Sequence, residues 1–230
     1  MTAQEMQYNI LLQIDSLFEN AAPGYNPTQI ESFMNRAQRR VFNQKKLLYD
    51  SDESVKRMLA PLNRRASTTD NTIKAVTVAL DLYKHTNGRY YTLPSNVGFI
   101  TEEYVKITPV GGAAITKPVL VKPITYDYYV KNYENRYKKP STELVWRLDY
   151  NYDSAQTGYI VELITDGSTI NSYHVSYLKY PQNMDIGTTN CEIIDETFHD
   201  EIVSETVKMI TAALNDEGYS VAVNEANSDK

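Results

Sequence analysis

Apolar residues recur every three or four positions through about the first 60 residues, which is the spacing of one helix face. A capping box, Thr2-x-x-Glu5, begins the first predicted helix, and Asn26 followed by Pro27 begins the second. Pro61 ends the third, because its ring cannot continue a helix. The three predicted helices cover residues 3–18, 27–46 and 52–60. The chain should therefore begin with a helical hairpin and a short third helix.

From Thr72 to about Tyr180 the pattern changes to an alternation of apolar and polar residues, rich in tyrosine and β-branched side chains. Asn87-Gly88 is a strong signal for a tight hairpin turn, and Asp166-Gly167 is a second one. The four strands that these turns should join cover residues 73–80, 89–93, 159–163 and 173–177. A short helix is predicted between the two hairpins, over residues 126–136. The middle of the chain is therefore expected to form a β region.

A helical pattern returns after Cys191. Asp195 is a suitable N-cap, acidic residues fill the first turn, where the helix dipole favours negative charge, and Gly218 is expected to end the helix. Residues 218–230 are mostly polar, with three apolar residues in alternation: Tyr219, Val221 and Val223. Such a segment cannot bury enough surface to order alone, but it could add as a strand to a partner. These three residues are therefore the candidate docking residues of a flexible tail.

Charge is distributed unevenly along the chain, which has a net charge of −6. Residues 36–65 carry nine basic and three acidic side chains, whereas residues 191–230 carry ten acidic and two basic ones. A negatively charged protein is a poor general binder of nucleic acid, but segments of opposite charge can steer association between subunits or partners. The alternative, that both segments are solvated helix faces, fits the pattern equally well.

The composition limits the class of protein further. The 42% hydrophobic and 23% charged residues are ordinary for a globular protein, and no stretch approaches the roughly 18 apolar residues of a membrane helix. A chain of 230 residues can bury a sizeable core as one domain or as two lobes. A single cysteine excludes an internal disulfide, and no basic leader precedes Arg36, so we expect an intracellular folding site.

One short stretch has the residue types of a metal or catalytic site. Glu196 and His199 have the Glu-x-x-His spacing that supplies two ligands in di-iron bundles. The sequence lacks the second motif that such a site needs, and acids suit the first turn of a helix, so a structural role is the better interpretation. Cys191 with His199 has no third orienting group, and the sequence has no glycine-rich nucleotide motif or hydrolase motif. We therefore predict no catalytic, cofactor-binding or metal-binding residue, and no enzymatic activity.

Nineteen tyrosines are the main excess in the composition. Tyrosine suits half-buried sheet faces and subunit interfaces, where its ring is covered and its hydroxyl finds a polar partner. Exposed aromatic residues would also suit a β-sandwich that binds glycans, although Trp146 is the only tryptophan. A glycan-binding module is therefore the alternative to an assembly protein, and a metal-dependent enzyme is the third candidate.

Several blocks of the sequence, taken in order, resemble a known family. Residues 1–45 resemble the N-terminal helical hairpin of neck, or ring, structural proteins from crAss-like tailed phages of Bacteroidetes. Residues 89–100, RYYTLPSNVGFI, resemble the Leu-Pro-x-Asp/Asn turn of phage tail tubular protein A and related head-to-tail adaptors. Later blocks that also resemble the crAss-like proteins read VKPITYDYYVKNYENRYKKPS, VWRLDY, YHVSYLKYPQNMDI and CEIIDETFHDEIVSETV. The last block departs from the family, whose final helix opens with a proline-acid pair, because Ile194-Asp195 stands there.

This resemblance implies an α+β fold: a helical bundle lobe built from both chain ends, with an inserted antiparallel β-sheet or sandwich lobe. The implied segments are residues 1–66 and 191–217 for the bundle, 67–190 for the inserted lobe and 218–230 for the flexible tail. It also implies a virion structural protein, assembled in the host cytoplasm, that forms a dodecameric ring under the portal without catalysis. The implied partners are the portal and adjacent tail or ring proteins. Genomic DNA would pass without sequence-specific binding, and no membrane is involved.

The charge pattern and the resemblance together suggest how subunits contact each other. A closed ring uses head-to-tail contacts, so one side of the subunit must complement the other. The basic segment 36–65 and the acidic segment 191–217 are therefore expected to face each other between neighbours. The candidate interface residues are Arg39, Arg40, Arg57, Glu201 and Glu205. A further expectation is that acidic side chains line the DNA passage, where they would repel phosphate.

Overall fold

The computed structural model describes residues 1–17, 26–76, 85–115, 117–150 and 159–228, with side chains described as far as residue 213. The chain divides into two compact units: Met1–Leu62 together with Tyr180–Lys230, and Asn63–Lys179. The first unit is helical, and the second contains one sheet. The predicted α+β class, with helices at both chain ends and a β region inserted between them in sequence, is confirmed. The divisions predicted from the sequence, at 66/67 and 190/191, lie 4 and 11 residues later.

The helices in chain order are α1 (Ala3–Leu17), α2 (Pro27–Lys45), α3 (Glu53–Leu59), α4 (Tyr126–Asn132) and α5 (Glu196–Ser228). Short 3-10 turns follow α2 and α3, at Lys46–Leu48 and Ala60–Leu62. The strands are β1 (Asn63–Ser67), β2 (Lys74–Val76), β3 (Gly88–Leu93), β4 (Val97–Thr108), β5 (Val119–Ile124), β6 (Leu144–Tyr150), β7 (Tyr159–Ile164) and β8 (Thr169–Lys179). The first three helices agree with the sequence prediction to within one residue at each end.

The helical unit has a core formed by the apolar faces of α1, α2 and α5. Both α1 and α2 pack against α5. Each helix buries residues at helical spacing, including Met6 and Ile10 of α1, Met34 of α2, and Phe198 and Ile202 of α5. The helical period read from the sequence therefore identified the buried faces correctly.

Side-chain caps fix the starts of three helices, as the sequence predicted. The Glu5 N–H donates to Thr2 Oγ1 at 3.1 Å and the Thr2 N–H donates to Glu5 Oε2 at 2.7 Å, which completes the capping box of α1. Asn26 forms a second capping box at the start of α2. The Phe198 N–H donates to Asp195 Oδ1 at 3.2 Å, so Asp195 caps α5. These caps satisfy backbone donors that a helix leaves unpaired in its first turn.

The end of α5 differs from the prediction. The helix does not stop at Gly218 but continues through it to Ser228. Tyr219, Val221 and Val223 therefore lie on helical backbone instead of an extended segment, and their side chains are outside the described part. One glycine inside a helix costs only about 1 kcal/mol relative to alanine, so it does not by itself stop a helix. The prediction gave Gly218 too much weight as a stop signal.

The second unit is an eight-stranded, curled mixed sheet with the strand order β1-β8-β4-β5-β6-β7-β3-β2. Neighbouring strands of this order are antiparallel except for β5 and β6, which run parallel. A parallel pair needs a crossover connection, and α4 lies within that connection. The expectation of an antiparallel lobe is therefore wrong for this one pair. The connection that contains the helix predicted at 126–136 returns the chain to the edge of the sheet where β5 begins, so that β6 runs in the same direction.

Only one of the two predicted hairpins has paired strands. β7 and β8 flank the Asp166-Gly167 turn, but β7 pairs with β3 and β6, whereas β8 pairs with β1 and β4. The turn itself is present, and Gly167 has a φ of 108°, which favours glycine. β2 and β3 do pair, with Val76 opposite Tyr90, and residues 77–84 of the predicted strand and turn lie outside the described chain. Alternation therefore predicted strands without fixing their partners.

The main core of this unit lies on one face of the sheet. Its buried residues include Tyr91, Leu93, Val105, Val121, Val145, Val161, Leu163, Tyr173 and Val175. β7 and β8 thus contribute to the same core although they do not pair. A smaller cluster contains Trp146, Leu148 and Ile164, against which Tyr128 and Tyr129 of α4 pack.

Candidate subunit interface

Three of the five predicted interface residues, Arg40, Glu201 and Glu205, form ion pairs between α2 and α5 within the subunit. Arg40 Nη1 lies 2.8 Å from Glu205 Oε1, and Lys45 Nζ lies 2.5 Å from Glu201 Oε1. These ion pairs bridge two helices that already pack through their apolar faces. The basic and acidic segments that the sequence placed on opposite sides of an interface therefore meet inside one chain. Partly exposed pairs of this kind contribute about 0.2–1 kcal/mol each.

The positive charges of Arg39 and Arg57 are less compensated within the subunit than that of Arg40. Arg39 Nη2 donates to Asn183 Oδ1 at 3.0 Å, and a neutral amide leaves the positive charge uncompensated. Arg57 is exposed, and its Nε lies 4.0 Å from Glu53 Oε1, which is the limit for an ion pair. Of the predicted interface residues, these two are therefore the best placed to bind an acidic neighbour.

His199, the histidine of the Glu-x-x-His motif, is buried, and both of its ring nitrogens have partners. The Met1 amino group donates to Nδ1 at 3.0 Å, and Nε2–H donates to the Ile193 carbonyl at 2.7 Å. Burial lowers the pKa of this imidazole, although the Ile193 bond acts in the opposite direction, and the neutral ring is favoured. Glu196 is exposed. The motif therefore ties Met1 to α5, and the ring lone pair that a metal would need is already used.

Cys191 has the surroundings of an unreactive thiol. Its side chain is buried, and Gln38 Nε2 donates to Sγ at 3.6 Å. Burial raises the pKa of the thiol, which keeps it protonated and weakly nucleophilic. His199 is not available to activate it, because both ring nitrogens bind other atoms. The pair of Cys191 and His199 therefore does not form a nucleophile and base.

The sheet unit contains a buried carboxylate that sequence reasoning missed. Glu162 on β7 is fully buried and accepts from the His85 N–H and from the Tyr150 hydroxyl, each at 2.9 Å. His85 Nδ1 also lies 2.7 Å from Glu162 Oε2. Gly88 leaves the space for this contact, since a Cβ there would lie 1.8 Å from Glu162 Oε1. Glu162 lies between Val161 and Leu163 in the alternating pattern, a polar position that gives no sign of burial, and the lack of a side chain at Gly88 makes room for its carboxylate.

A second buried charged cluster links β4, β6 and β8. Arg147 contacts Glu103, its Nε lies 2.8 Å from Asp149 Oδ1, and the Tyr173 hydroxyl donates to Glu103. Burial acts against the charge on Arg147, but the two carboxylates hold its pKa above the usual value. Burial, followed by the charge of Glu103, raises the pKa of Tyr173, so the phenol stays protonated. Glu103 accepts hydrogen bonds from both the Arg147 guanidinium and the Tyr173 hydroxyl, which fits a role in joining strands better than a role in binding a ligand.

The only tryptophan is unsuited to stacking on a sugar. Trp146 is fully buried, and the rings of Tyr128 and Tyr129 pack edge-on against it at centroid distances of 5.7 and 6.1 Å. A sugar-binding platform needs an accessible ring face, so Trp146 gives no support to the glycan-binding alternative. Its ring instead joins α4 to β6.

The histidines lie apart from each other in the described structure. His85 contacts Glu162, His174 stacks on Tyr104 at 4.6 Å between ring centroids, and His199 binds Met1. Within the residues that the structure describes, no group of three or more His, Cys, Asp and Glu side chains is placed to hold a metal ion. Nor does any helix in that part of the chain have the length and apolar character needed to cross a bilayer.

A comparison with known protein families adds evidence of a different kind. A family model described as phage tail ring protein 3/4 matches residues 1–219. The match includes the whole sheet unit, both helices of the N-terminal hairpin and α5 as far as residue 219. No curated protein matches the chain.

Proposed function

The chain belongs to the phage tail ring protein 3/4 family, and we propose that it is a subunit of the head-to-tail connector of a virion. In this role it forms a ring under the portal, contacts adjacent tail or ring proteins, and surrounds part of the passage for genomic DNA. The observation that carries the proposal is the extent of the family match, which includes both helical chain ends and the inserted sheet.

The chemistry of the chain supports assembly over catalysis. Its buried titratable groups, including His199, Cys191 and Glu162, bind neighbours in their own fold. A net charge of −6 repels phosphate, which suits a passage that DNA crosses without sequence-specific binding. We therefore propose a structural role without enzymatic activity.

The proposed charge contacts between neighbours remain Arg39, Arg40 and Arg57 on one side and Glu201 and Glu205 on the other. Two of them, Arg40 and Glu205, also bind each other within the subunit, so they can support an interface only by sharing partners. Arg39 and Arg57 are free of such a strong internal pair and should carry more of the contact. The C-terminal segment, with Tyr219, Val221 and Val223, is proposed to dock on the portal or an adjoining ring, as a helix instead of an added strand.

Light scattering and negative-stain electron microscopy test the connector proposal. The purified chain is measured alone and after mixing with the portal protein of the same virion. Closed rings that copurify with the portal, with dodecameric mass on the portal, are the expected result. An unrelated acidic protein of similar size, mixed with the same portal, controls for charge-driven binding. A chain that stays monomeric in both conditions, or rings that never bind portal or tail proteins, would contradict the connector role.

A further inference from the structure

A row of large apolar side chains on and just after α4 faces solvent. Tyr126, Val130 and Tyr133 recur at spacings of four and three residues, and Tyr137 follows in the next turn. Their exposed fractions are 64, 61, 49 and 94%, respectively. Other residues of the helix pack on β6. We call these four exposed residues the α4 stripe.

The α4 stripe is better explained by binding than by packing. Clustered large apolar groups on a surface commonly mark a site that a partner covers. Tyrosine is also among the residue types that contribute most to binding at interfaces. The rings that pack on the buried Trp146 beneath α4 are those of Tyr128 and Tyr129, which do not belong to the stripe.

The charges around the stripe indicate the chemistry of its partner. Residues 126–139 carry four exposed basic side chains and two exposed acidic ones. The basic residues are Lys131, Arg136, Lys138 and Lys139. Complementary surfaces place opposite charges against each other. A partner that covers the stripe should therefore be apolar at its centre and acidic at its rim.

The start of α5 has this character. Ile194 is 79% exposed although it is a large apolar residue. Three exposed acids follow it, and residues 192–200 contain no lysine or arginine. We call Ile194 and these acids the acidic patch, which comprises Ile194, Asp195, Glu196 and Asp200. Glu53 and Arg57 line the same groove as Ile194 and add one charge of each sign beside the patch.

We propose that the α4 stripe of one subunit packs on the acidic patch of the next copy in the ring. The proposal rests on the proposed function, which requires rings. A closed ring joins two different surfaces of the same chain, so a basic aromatic surface and an acidic apolar one form a matching pair. Ile194 contacts the tyrosine rings, and the carboxylates pair with the basic side chains at the rim.

A recess beside the stripe provides space for Ile194. Tyr133 lines a cavity of about 390 Å³ together with Tyr129 and Trp146, and polar side chains that include Lys139 and Asp166 complete its lining. This volume exceeds that of one isoleucine side chain. Apolar side chains that fill such pockets near the centre of an interface are typical of the residues that dominate binding. The cavity therefore gives the proposed contact an anchor as well as a charged rim.

Other exposed apolar residues of the helical unit fit the stripe less well. Leu47 lies next to Lys46, whose charge would oppose the basic residues around α4. Tyr8 and Leu12 are exposed on α1, but the two acids of that helix are ten residues apart. The acidic patch instead has three carboxylates within six residues, which favours it as the complementary surface.

Charge reversal on both surfaces tests the proposal. Variant A carries Arg136→Glu and Lys138→Glu, and variant B carries Glu196→Lys and Asp200→Lys. Each variant alone is expected to lose the ring in light scattering, because like charges then face each other at every interface. An equal mixture of A and B is expected to recover rings, since every interface of an alternating ring again joins opposite charges.

Two further variants control the charge swap. Lys74→Glu with Lys117→Glu reverses two exposed lysines of the same unit away from the stripe and should leave the ring unchanged. Tyr133→Ala keeps every charge and should weaken association about 10- to 100-fold. Thermal unfolding of each variant shows whether the fold is intact.

The outcomes separate this proposal from the proposed function. Rings that persist in variants A and B, or that the mixture fails to restore, overturn the proposed contact and leave the connector role in place. A wild-type chain that forms no ring, even with the portal, overturns the connector role and this contact with it. If variant A keeps its rings but loses an affinity for single-stranded DNA that the wild type has, the stripe binds nucleic acid and the proposed contact is overturned.

Discussion

At the scale of single residues, the hydrogen-bond partners of a side chain determine whether it can bind a ligand or react more than its residue type does. Glu162 accepts from His85 and Tyr150, and His199 is held between Met1 and Ile193. A carboxylate or imidazole whose positions are filled by its own fold has none left for a substrate or an ion. The sequence gives the residue types but not their hydrogen-bond partners. From the sequence alone, His199 therefore resembles half of a metal site and Glu162 resembles a surface residue.

Acid should destabilise the protein partly through His199. Burial lowers its pKa in the folded chain, so the unfolded chain binds more protons once the pH falls below the ordinary histidine value of about 6.5. The free energy of unfolding should therefore be highest above this pH and decrease as the pH falls toward the folded value. Urea unfolding at about pH 7.5 and about pH 5.5 should show a smaller loss for His199→Asn than for the wild type. Equal losses in both proteins would contradict this.

Gly88→Ala should be strongly destabilising, because the added Cβ would lie 1.8 Å from Glu162 Oε1. Either the carboxylate leaves its three contacts with His85 and Tyr150 while still buried, or the backbone of β3 shifts. We expect a loss of about 2–4 kcal/mol in chemical denaturation. Gly112→Ala is the matched control, since its Cβ would meet nothing nearer than Pro109 Cβ at 3.4 Å, and should change stability by less than about 1 kcal/mol. Similar losses at both glycines would refute the role given to Glu162.

At the scale of elements, the starts of helices were predictable and the partners of strands were not. Asp195 and Asn26 identify helix starts because a cap acts within one turn. Strand alternation reports only which side chains are buried, and Val161 and Tyr173 reach the same core whether or not β7 and β8 pair. The helix between β5 and β6 was predicted, but no local pattern showed that the two strands it connects pair in parallel.

Removal of residues 218–230 should separate folding from docking. The described core of the helical unit uses α5 residues from Phe198 to Ile210, so thermal unfolding should change by no more than a few degrees. Binding to the portal or to an adjoining ring, measured by copurification, should weaken. A full-length variant with Tyr219→Ala, Val221→Ala and Val223→Ala keeps helix-forming residues and distinguishes the side chains from the helical backbone. Unchanged copurification of both variants would exclude a docking role for this segment.

At the scale of the whole molecule, the two ends of the chain form one unit and the middle forms another. The helical spacing at both chain ends and the alternating pattern between them predicted a helical unit and a β unit. The family match identifies the chain as a ring protein of the phage tail. Charge segregation along the chain does not by itself identify the surfaces that join subunits, because it does not show which charges are used internally. Arg40 and Glu205 illustrate this, since they pair within one subunit.

Reversal of Arg39, Arg40 and Arg57 to glutamate should abolish rings if these residues contact an acidic neighbour. The variant also breaks the internal pair of Arg40 with Glu205, so a swap variant, Arg40→Glu with Glu205→Arg, is needed as a control. The swap restores the internal pair and should recover the stability of the monomer, with a coupling of about 0.2–1 kcal/mol. Triple-variant rings of unchanged size and salt tolerance would show that these arginines do not join subunits.

The division of the helical unit between the two chain ends also sets the order of events during synthesis. The Ala3 N–H donates to Asn190 Oδ1, 187 residues later, and α1 and α2 find their main packing partner in α5. The ribosome makes the whole sheet unit before α5, so the sheet can fold first. Until α5 is made, the apolar face of α1 stays exposed to solvent. A nascent chain stopped at residue 190 should leave α1 open to protease, and the complete chain should protect it. Subunits would then become competent to join a ring only after α5 has been made and has packed on α1 and α2.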